Sequence, residues 1–461
     1  MPELLPVTVQ DMAQAREARA LKQQALLKAH GKTLICLTMN IAGAVKLNSL
    51  IKDAFHEGVM MVSDTLAANH IKVLYRDQSL SRTGSEAFFC ADSEPLRVKR
   101  LMVRLEDRNP LGRLLDIDVL DLDGTKISRN EVAQPPRKCL LCEEPVTACA
   151  RSRRHSAQDL FSAAMLIIRQ HFDEQFAADV SSFAVRALLT ELAATPKPGM
   201  VDRKDSGCHR DMDFFTFLDS AAALAPYFHT CVRLGAHAVT PKGCFLSLRA
   251  EGALAEGRML RATKGVNTHR GAVFSLGILC AAAGYARAHH LGMNPEVLSD
   301  ISSQMTSEAL QAELDGMKQP NTFGEALMKG RLAGARAEAA QGFPTVLHTA
   351  LPALEKALEE GKTLNDACIC ALMAVMSVAE DSVLLRRAGP ERSELVRLKA
   401  KELLKQGCPD EEMVKFDEQC TLWNVSFGGS ADLLAAALLM RSLRDSRWQP
   451  DQIEELMKKQ N

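Results

Sequence analysis

From about Ser156 onward the sequence is a nearly unbroken series of apolar-periodic segments, and this constrains the fold more than any other feature. Ala157–Phe172, Ala178–Ala194, Phe214–Leu234, Leu254–Thr263, Ala272–Leu291, Glu325–Gln341, Leu364–Val378, Glu391–Gln406 and Ala431–Leu443 carry apolar residues at helical spacing, with hardly a strand signal between them. Helices of this kind bury their apolar stripes by packing on one another, so an all-α bundle is expected. No internal repeat of solenoid length is present.

The first ~170 residues mix both periods. Gln10–His30 and Val59–Ala68 read as helices, and Leu34–Asn40, Ile71–Tyr75, Leu96–Leu105 and Leu114–Leu122 as strands. Leu114–Leu122 is close to strict alternation and runs into an Asp123-Gly124 turn. The expected architecture is an α+β N-terminal domain, residues 1–172, followed by a larger all-α helical domain, residues 173–461, with the change near His171–Asp179.

The chain has 461 residues, 56 basic and 57 acidic side chains and a net charge of −1, which gives no reason to expect a nucleic-acid or membrane partner. The start, Met-Pro-Glu-Leu-Leu-Pro-Val, lacks the basic and apolar regions of a signal peptide. The most apolar stretch, Gly271–Ala286, falls short of the ~20 residues of a membrane span. The 13 cysteines then read as reduced thiols or metal ligands, and a cytoplasmic location is expected.

Residues 263–271, Thr-Lys-Gly-Val-Asn-Thr-His-Arg-Gly, precede an uncharged helical run. Asn267 or Thr268 can cap that helix, its first N–H groups favour an anion, Lys264 and Arg270 add fixed positive charge and His269 adds a titratable group, as suits a polyphosphate site. The plainer alternative is a capped core helix with two solvated cations. Upstream, Glu191 precedes Thr195-Pro196-Lys197-Pro198-Gly199, an irregular loop that leads to His209, Asp211 and Asp213 before the apolar run from Phe214. The two aspartates beside a histidine suit Mg²⁺–nucleotide binding or acid–base work, although either could be a helix cap. Gly428-Gly429-Ser430-Ala431-Asp432 is a further helix start at which bare backbone could approach phosphate, Ser430 could cap and Asp432 could reach a metal. Glu251 and Glu256 read as solvated or supporting residues.

In the N-terminal region Asp116 and Asp118 lie two apart on a strand, so both carboxylates share a face and suit Mg²⁺ with a nucleotide phosphate. A solvated edge is the alternative, which Asp121 and Asp123 keep open. Cys139, Cys142, Cys149 and His155 are spaced C-x2-C-x6-C-x5-H, enough donors for a structural Zn²⁺ though matching no standard finger; reduced thiols beside an arginine-rich contact are the alternative. His30-Gly31-Lys32-Thr33 is not a P-loop, because Leu26 stands where the first glycine is needed.

Together, Arg16-Glu17 with Arg19, Asn40-Ile41-Ala42-Gly43, Gly112 to Val119, Arg137 to Cys142 and Arg151 to His155 resemble the CitX family of apo-citrate lyase phosphoribosyl-dephospho-CoA transferases over about residues 5–170. Residues ~180–461 resemble the CitG/MdcB family of triphosphoribosyl-dephospho-CoA synthases, through Thr195 to Gly199, Val201-Asp202, Gly207, His209, Asp211 to Phe214, Gly265 to Gly271 and Gly428 to Asp432. Asp381 and Arg387 match that family, whereas Val383 and Ala388 depart from it. The resemblance to a CitXG fusion implies two steps. ATP and 3′-dephospho-CoA give the triphosphoribosyl-dephospho-CoA and adenine. A serine of the citrate lyase acyl carrier (gamma) subunit then attacks the α-phosphate and pyrophosphate leaves. It implies Asp116 and Asp118 as an Mg²⁺ site with Arg113 on a phosphate, Asp211 and Asp213 as metal ligands or base, His209 at adenine departure, and Lys264, His269 and Arg270 on the triphosphate. Fusion would raise the local concentration of the intermediate. Two other classes fit the residues: an Mg²⁺-dependent N-glycosidase like the ADP-ribosyl hydrolases, and a non-catalytic carrier-binding scaffold.

Overall fold

The computed structural model describes residues 6–142, 144–316 and 334–449. Two compact units divide the chain, Met1–Gln175 and Phe176–Asn461. The first combines helices with a sheet and the second is helical throughout its described residues, so the chain is an α+β unit followed by an all-α one.

In the first unit, α1 (Val9–His30) begins in a capping box between Thr8 and Asp11 and ends at Gly31. Gly31 is thus a helix C-cap, and Lys32 is ion-paired to Asp92 at 2.7 Å, which leaves no phosphate loop there. β1 (Thr33–Met39), α2 (Ser49–Ala68), β2 (Val73–Ser79), β3 (Glu86–Ala91), α3 (Pro95–Arg108) and β4 (Leu115–Leu120) follow, with strand order β2-β3-β1-β4 and every pair antiparallel. One sheet face, with Ile35, Leu37, Phe89, Ile117 and Val119, packs on apolar residues of α2 and α3. The other, with Leu34, Cys36, Phe88 and Cys90, packs on Leu26 and Leu27 of α1.

Leu96–Leu105, expected as a strand, is helix α3. Its buried residues Val98, Lys99, Met102, Val103, Leu105 and Glu106 follow a helical period, but Lys99 and Glu106 break the apolar stripe. Pro95 at the first turn is the start signal that marks it. β3 has no polar alternation because five of its six residues are buried.

Later elements are α4 (Val146–Ser152) and α5 (Ala157–Ala193), the latter one continuous helix where two segments were expected. The second unit continues with α6 (Phe214–His237), α7 (Pro241–Ala262), α8 (Arg270–Ala288), α9 (Pro295–Gly316), α10 (Ala335–Ala340) and α11 (Leu351–Glu359). It ends with α12 (Leu364–Val378), α13 (Ser382–Lys405, bent at Gly389), α14 (Asp410–Leu422) and α15 (Gly428–Arg444). Residues 325–333 of the expected helix Glu325–Gln341 lie outside the described residues. Helix α8 is long and apolar enough to cross a membrane, yet Ala272, Val273 and nearly every residue from Ser275 to Ala286 are buried in the core of the second unit.

Helices α6 and α8 touch backbone to backbone. A Cβ on Gly235 would stand 1.9 Å from the Ala281 carbonyl oxygen, and one on Gly284 would stand 2.0 Å from that of Val232. Gly235→Ala must therefore push the helices apart. Overpacking of this kind costs about 1–3 kcal/mol. A lower urea midpoint with an unchanged slope is expected, and an unchanged midpoint would show that the crossing is looser than described.

Candidate active sites

In the first unit, the alternation of β4 sends Leu115, Ile117 and Val119 into the core and leaves Asp116 and Asp118 on the opposite face, the one α1 covers. Across the ladder Asp118 pairs with Cys36 and Asp116 with Thr38. The two side chains keep 49% and 26% of their surface, so they share a face and stay reachable by a ligand. Asp118 pairs with Lys126 at 2.5 Å and Asp116 lies 3.7 Å from Arg137. Arg19 of α1 pairs with Glu86 at 2.7 Å and acts, as Asp118 does, on the Cys36 thiol, which burial pushes up to about 12. Asp123, by contrast, accepts from Thr125 N–H at 2.8 Å and builds the turn.

A buried charge network fixes the backbone between the aspartates. Glu106 accepts from Ile117 N–H at 3.0 Å and pairs with Arg137 at 2.5 Å and Arg129 at 3.1 Å, while Lys99 donates to the Ile117 carbonyl at 3.0 Å. Burial pushes the Glu106 carboxyl up, and the Arg137 guanidinium is the main opposing influence. Arg137 also donates to the Leu115 carbonyl, and Arg113 donates to that of Cys139 at 2.9 Å. Cys139, Cys142, Cys149 and His155 bring four ligand atoms within 4.8 Å of one another.

In the second unit, the loop after α5 folds around Asp202. Its carboxylate accepts from Thr195 Oγ1 at 2.5 Å, Lys197 N–H at 3.0 Å and Lys204 N–H at 2.7 Å. The loop is thereby locked, and it drives Lys197 inward onto Glu191 at 2.6 Å, a pair with only 3% and 5% of its side-chain surface left. Gly199 N–H donates to buried Asp417 at 2.9 Å.

Two carboxylates, Asp381 buried and Asp432 partly buried, occupy helix N-termini. Asp381 caps α13 by accepting from Val383 N–H at 2.9 Å, and its second oxygen accepts from Ser430 N–H at 2.9 Å and Ser430 Oγ at 3.1 Å. Asp432, on α15, accepts from Ala272 N–H in the first turn of α8 and lies so close to Gly271 that a Cβ there would be 1.8 Å from its Oδ2. These contacts correct the sequence expectation at both starts. Ser430 is not the cap but the third residue of its helix, Gly428 and Gly429 give close approach to Val383 and Asp381, and part of the α8 terminus is already filled by a carboxylate. Burial pushes the Asp432 carboxyl well up, and Glu191 and Asp381 push it further. Burial likewise raises Asp381.

His269 is buried at the start of α8. Thr268 Oγ1 donates to Ser220 Oγ at 2.7 Å, and Ser220 lies 2.7 Å from His269 Nδ1. Ser220 Oγ thus links Thr268 to His269, whose buried Nε2 has no protein partner. Burial, then Lys197, lower its pKa to about 3. Burial thus favours the neutral imidazole at His269. Asn267 accepts from Arg270 N–H at 3.3 Å, whereas Thr268 serves Ser220. Arg270 pairs with Glu256 at 3.0 Å, and Lys264 is exposed at a positive φ of 55°.

His209 Nε2 lies 3.1 Å from Ser426 Oγ and its buried Nδ1 has no partner. Burial, then Arg387, lower its pKa, and Asp211 opposes them. Arg387 contacts Cys208 Sγ at 3.0 Å. Lys197 acts on both His209 and His269, so the structure brings these two expected residues into one neighbourhood, with Asp211 at its exposed side. Asp213 instead caps α6, with Oδ1 accepting from Thr216 N–H at 2.8 Å and Thr216 Oγ1 at 2.6 Å. Sequence reading gave no role to Lys197, Asp202, Ser220 or Asp417. A lysine between two prolines is the signal that could have marked the first.

The depressed His269 has a stability consequence. The native imidazole stays neutral while the unfolded one takes up a proton below its ordinary value near 6.5. Its contribution is therefore intact above that pH and is lost as pH falls toward 3, at about 1.4 kcal/mol per pH unit. Urea unfolding of wild type and His269→Gln at several pH values should show stability falling more steeply in wild type from pH 6 to pH 4. Parallel curves would mean that His269 is protonated in the native protein.

The CitG family model, described as ATP:dephospho-CoA triphosphoribosyl transferase, matches residues 177–451, and the CitX model, described as apo-citrate lyase phosphoribosyl-dephospho-CoA transferase, matches residues 7–171. A protein named CitXG from Haemophilus influenzae is 32% identical over 458 residues, which span 95% of this chain and 97% of that protein. The chain belongs to the CitXG family. A CitXG protein from Leuconostoc mesenteroides is 31% identical over 93% of the chain and 95% of its own length. A 2-(5″-triphosphoribosyl)-3′-dephosphocoenzyme-A synthase from Pectobacterium atrosepticum is 37% identical over 277 residues, 59% of this chain and 92% of that enzyme. The chain is a bifunctional transferase of citrate lyase prosthetic-group synthesis, with ATP and dephospho-CoA as substrates.

Proposed function

We propose that residues 173–461 carry the synthase and residues 1–172 the transferase, acting in the cytoplasm on the acyl carrier (gamma) subunit of citrate lyase. In the first step the 2′-hydroxyl of dephospho-CoA attacks C1 of the ATP ribose, the bond to adenine breaks, and the hydroxyl proton passes to a base. In the second, a carrier serine oxygen attacks the α-phosphorus of the product and pyrophosphate leaves with the electron pair of the broken P–O bond.

The observation that carries this reading is the convergence of Glu191, Lys197, His269, Asp381 and Asp432 on the starts of α8 and α15, four of them buried and Asp432 partly so. Three carboxylates, Glu191, Asp381 and Asp432, gather here with one buried cation, Lys197, which is paired to Glu191 at 2.6 Å. A divalent cation fits this shortage of positive charge, and carboxylate oxygen is the right donor for Mg²⁺. Mg²⁺ is commonly held by one or two carboxylates together with water and substrate phosphate. Asp432, with Asp381 behind it, would hold Mg²⁺ in the second unit, and Asp116 and Asp118 in the first. Once bound, the ion offsets charge on the polyphosphate.

The chain's own groups do the rest. His269, whose buried Nε2 has no protein partner, offers that nitrogen to the substrate. Lys264, Arg270 and Arg387 face the triphosphate charge. His209, with Asp211 acting on it, would assist the departure of adenine. Arg137, 3.7 Å from Asp116, and Arg113 would meet the phosphate under attack. Apo carrier protein incubated with enzyme, ATP, Mg²⁺ and dephospho-CoA should gain the mass of a phosphoribosyl-dephospho-CoA arm. No gain, with adenine released by ATP alone, would favour hydrolysis instead.

A further inference from the structure

We propose that Cys139, Cys142, Cys149 and His155 bind one structural Zn²⁺ that clamps the segment carrying Arg137 against the start of β4. The four ligand atoms lie within 4.8 Å of one another. Cys139 Sγ is 3.5 Å from Cys149 Sγ, which is 4.0 Å from Cys142 Sγ. Tetrahedral Zn²⁺ with Zn–S of about 2.3 Å sets its sulfurs about 3.8 Å apart, between those two values. A disulfide needs about 2.05 Å, and three thiols crowded together have no apolar reason to converge in so open a segment. His155 supplies an independent sign: its Nε2 is shielded from solvent and has no hydrogen-bond partner.

The local backbone is built for the purpose. Cys139 N–H donates to the Glu144 carbonyl at 2.7 Å and Val146 N–H to that of Arg137 at 2.8 Å, which closes a hairpin over Cys139–Cys142. Leu141 N–H points at Cys139 Sγ at 3.5 Å, the kind of N–H···S contact that supports a thiolate ligand. α4 presents Cys149, and a left-handed Arg153 ends that helix and turns the chain toward His155. Four donors with no open position make the ion structural. Its reach is nonetheless functional. Arg113 holds the Cys139 carbonyl, and Arg137, two residues before Cys139, holds Glu106 and the Leu115 carbonyl and faces Asp116. The clip thus sets Arg137, the arginine that faces Asp116.

Elemental analysis of the full chain, expressed with zinc supplied, should find about one zinc per chain. Cobalt in its place should give an intense thiolate-to-metal charge-transfer band. Cys139→Ser and Cys149→Ser should lose the metal and Cys208→Ser should keep it. Should the serine variants fail to fold, titration of the wild-type thiols with an organomercurial should release that zinc stoichiometrically. A wild-type chain with neither zinc nor the cobalt band overturns the proposal. So does full zinc content in the folded serine variants, or a disulfide among the three cysteines in the freshly isolated chain.

Discussion

Asp432→Asn is expected to lower adenine release from ATP and dephospho-CoA by roughly 10³-fold, the several kcal/mol that a metal's charge stabilisation is worth. Transfer of preformed triphosphoribosyl-dephospho-CoA to the carrier should be unchanged. The asparagine oxygen can still accept from Ala272 N–H, so the start of α8 keeps its contact and the effect reports charge. Burial, then Glu191 and Asp381, raise the Asp432 carboxyl and so favour the protonated form. A bound cation favours the ionised form, and the Mg²⁺ requirement of adenine release should therefore weaken as pH rises. Asp213→Asn, at an exposed cap, should cost the synthase little. Adenine release measured by chromatography separates the two. A fully active Asp432→Asn, or equal losses at both positions, would sink the assignment of Asp432.

Asp116→Asn and Asp118→Asn should have the complementary effect. Each is expected to reduce carrier modification by roughly 10³-fold while adenine release continues at the wild-type rate. Both face away from the core, so neither change should lower the urea midpoint much, although Asp118→Asn also gives up its pair with Lys126. Mass spectrometry of the carrier reads the transfer, and the accumulating intermediate can be followed in the same mixture. If carrier modification survived in the double variant, the acidic pair would be only a solvated face.

Much of this was legible in the chain because it depends on neighbours in sequence. The alternation of Leu115 to Val119 places Asp116 and Asp118 on one face whatever packs on the other. The apolar run after Arg270 becomes a buried helix, and Asp213 before Phe214 becomes a cap. Legibility failed where burial and polarity part company. Lys99 and Glu106 lie inward in α3 because they hold the backbone of Ile117 and each other's charge, so a count of apolar residues sees no helix there. Roles at the second site failed for a related reason. Sequence shows that Ser430 and His269 stand at helix starts, but not that Asp381 and Asp432 fill those starts or that burial removes the charge of His269.

By itself, then, the sequence determined the two halves, their classes of fold and the family, because periodicity and motif are local properties. Only the tertiary structure decided the state of each ionisable group. A carboxyl or imidazole takes its charge from what surrounds it, and Glu191, Lys197, His269, Asp381 and Asp432 come from separate stretches that folding alone brings under one low-dielectric roof.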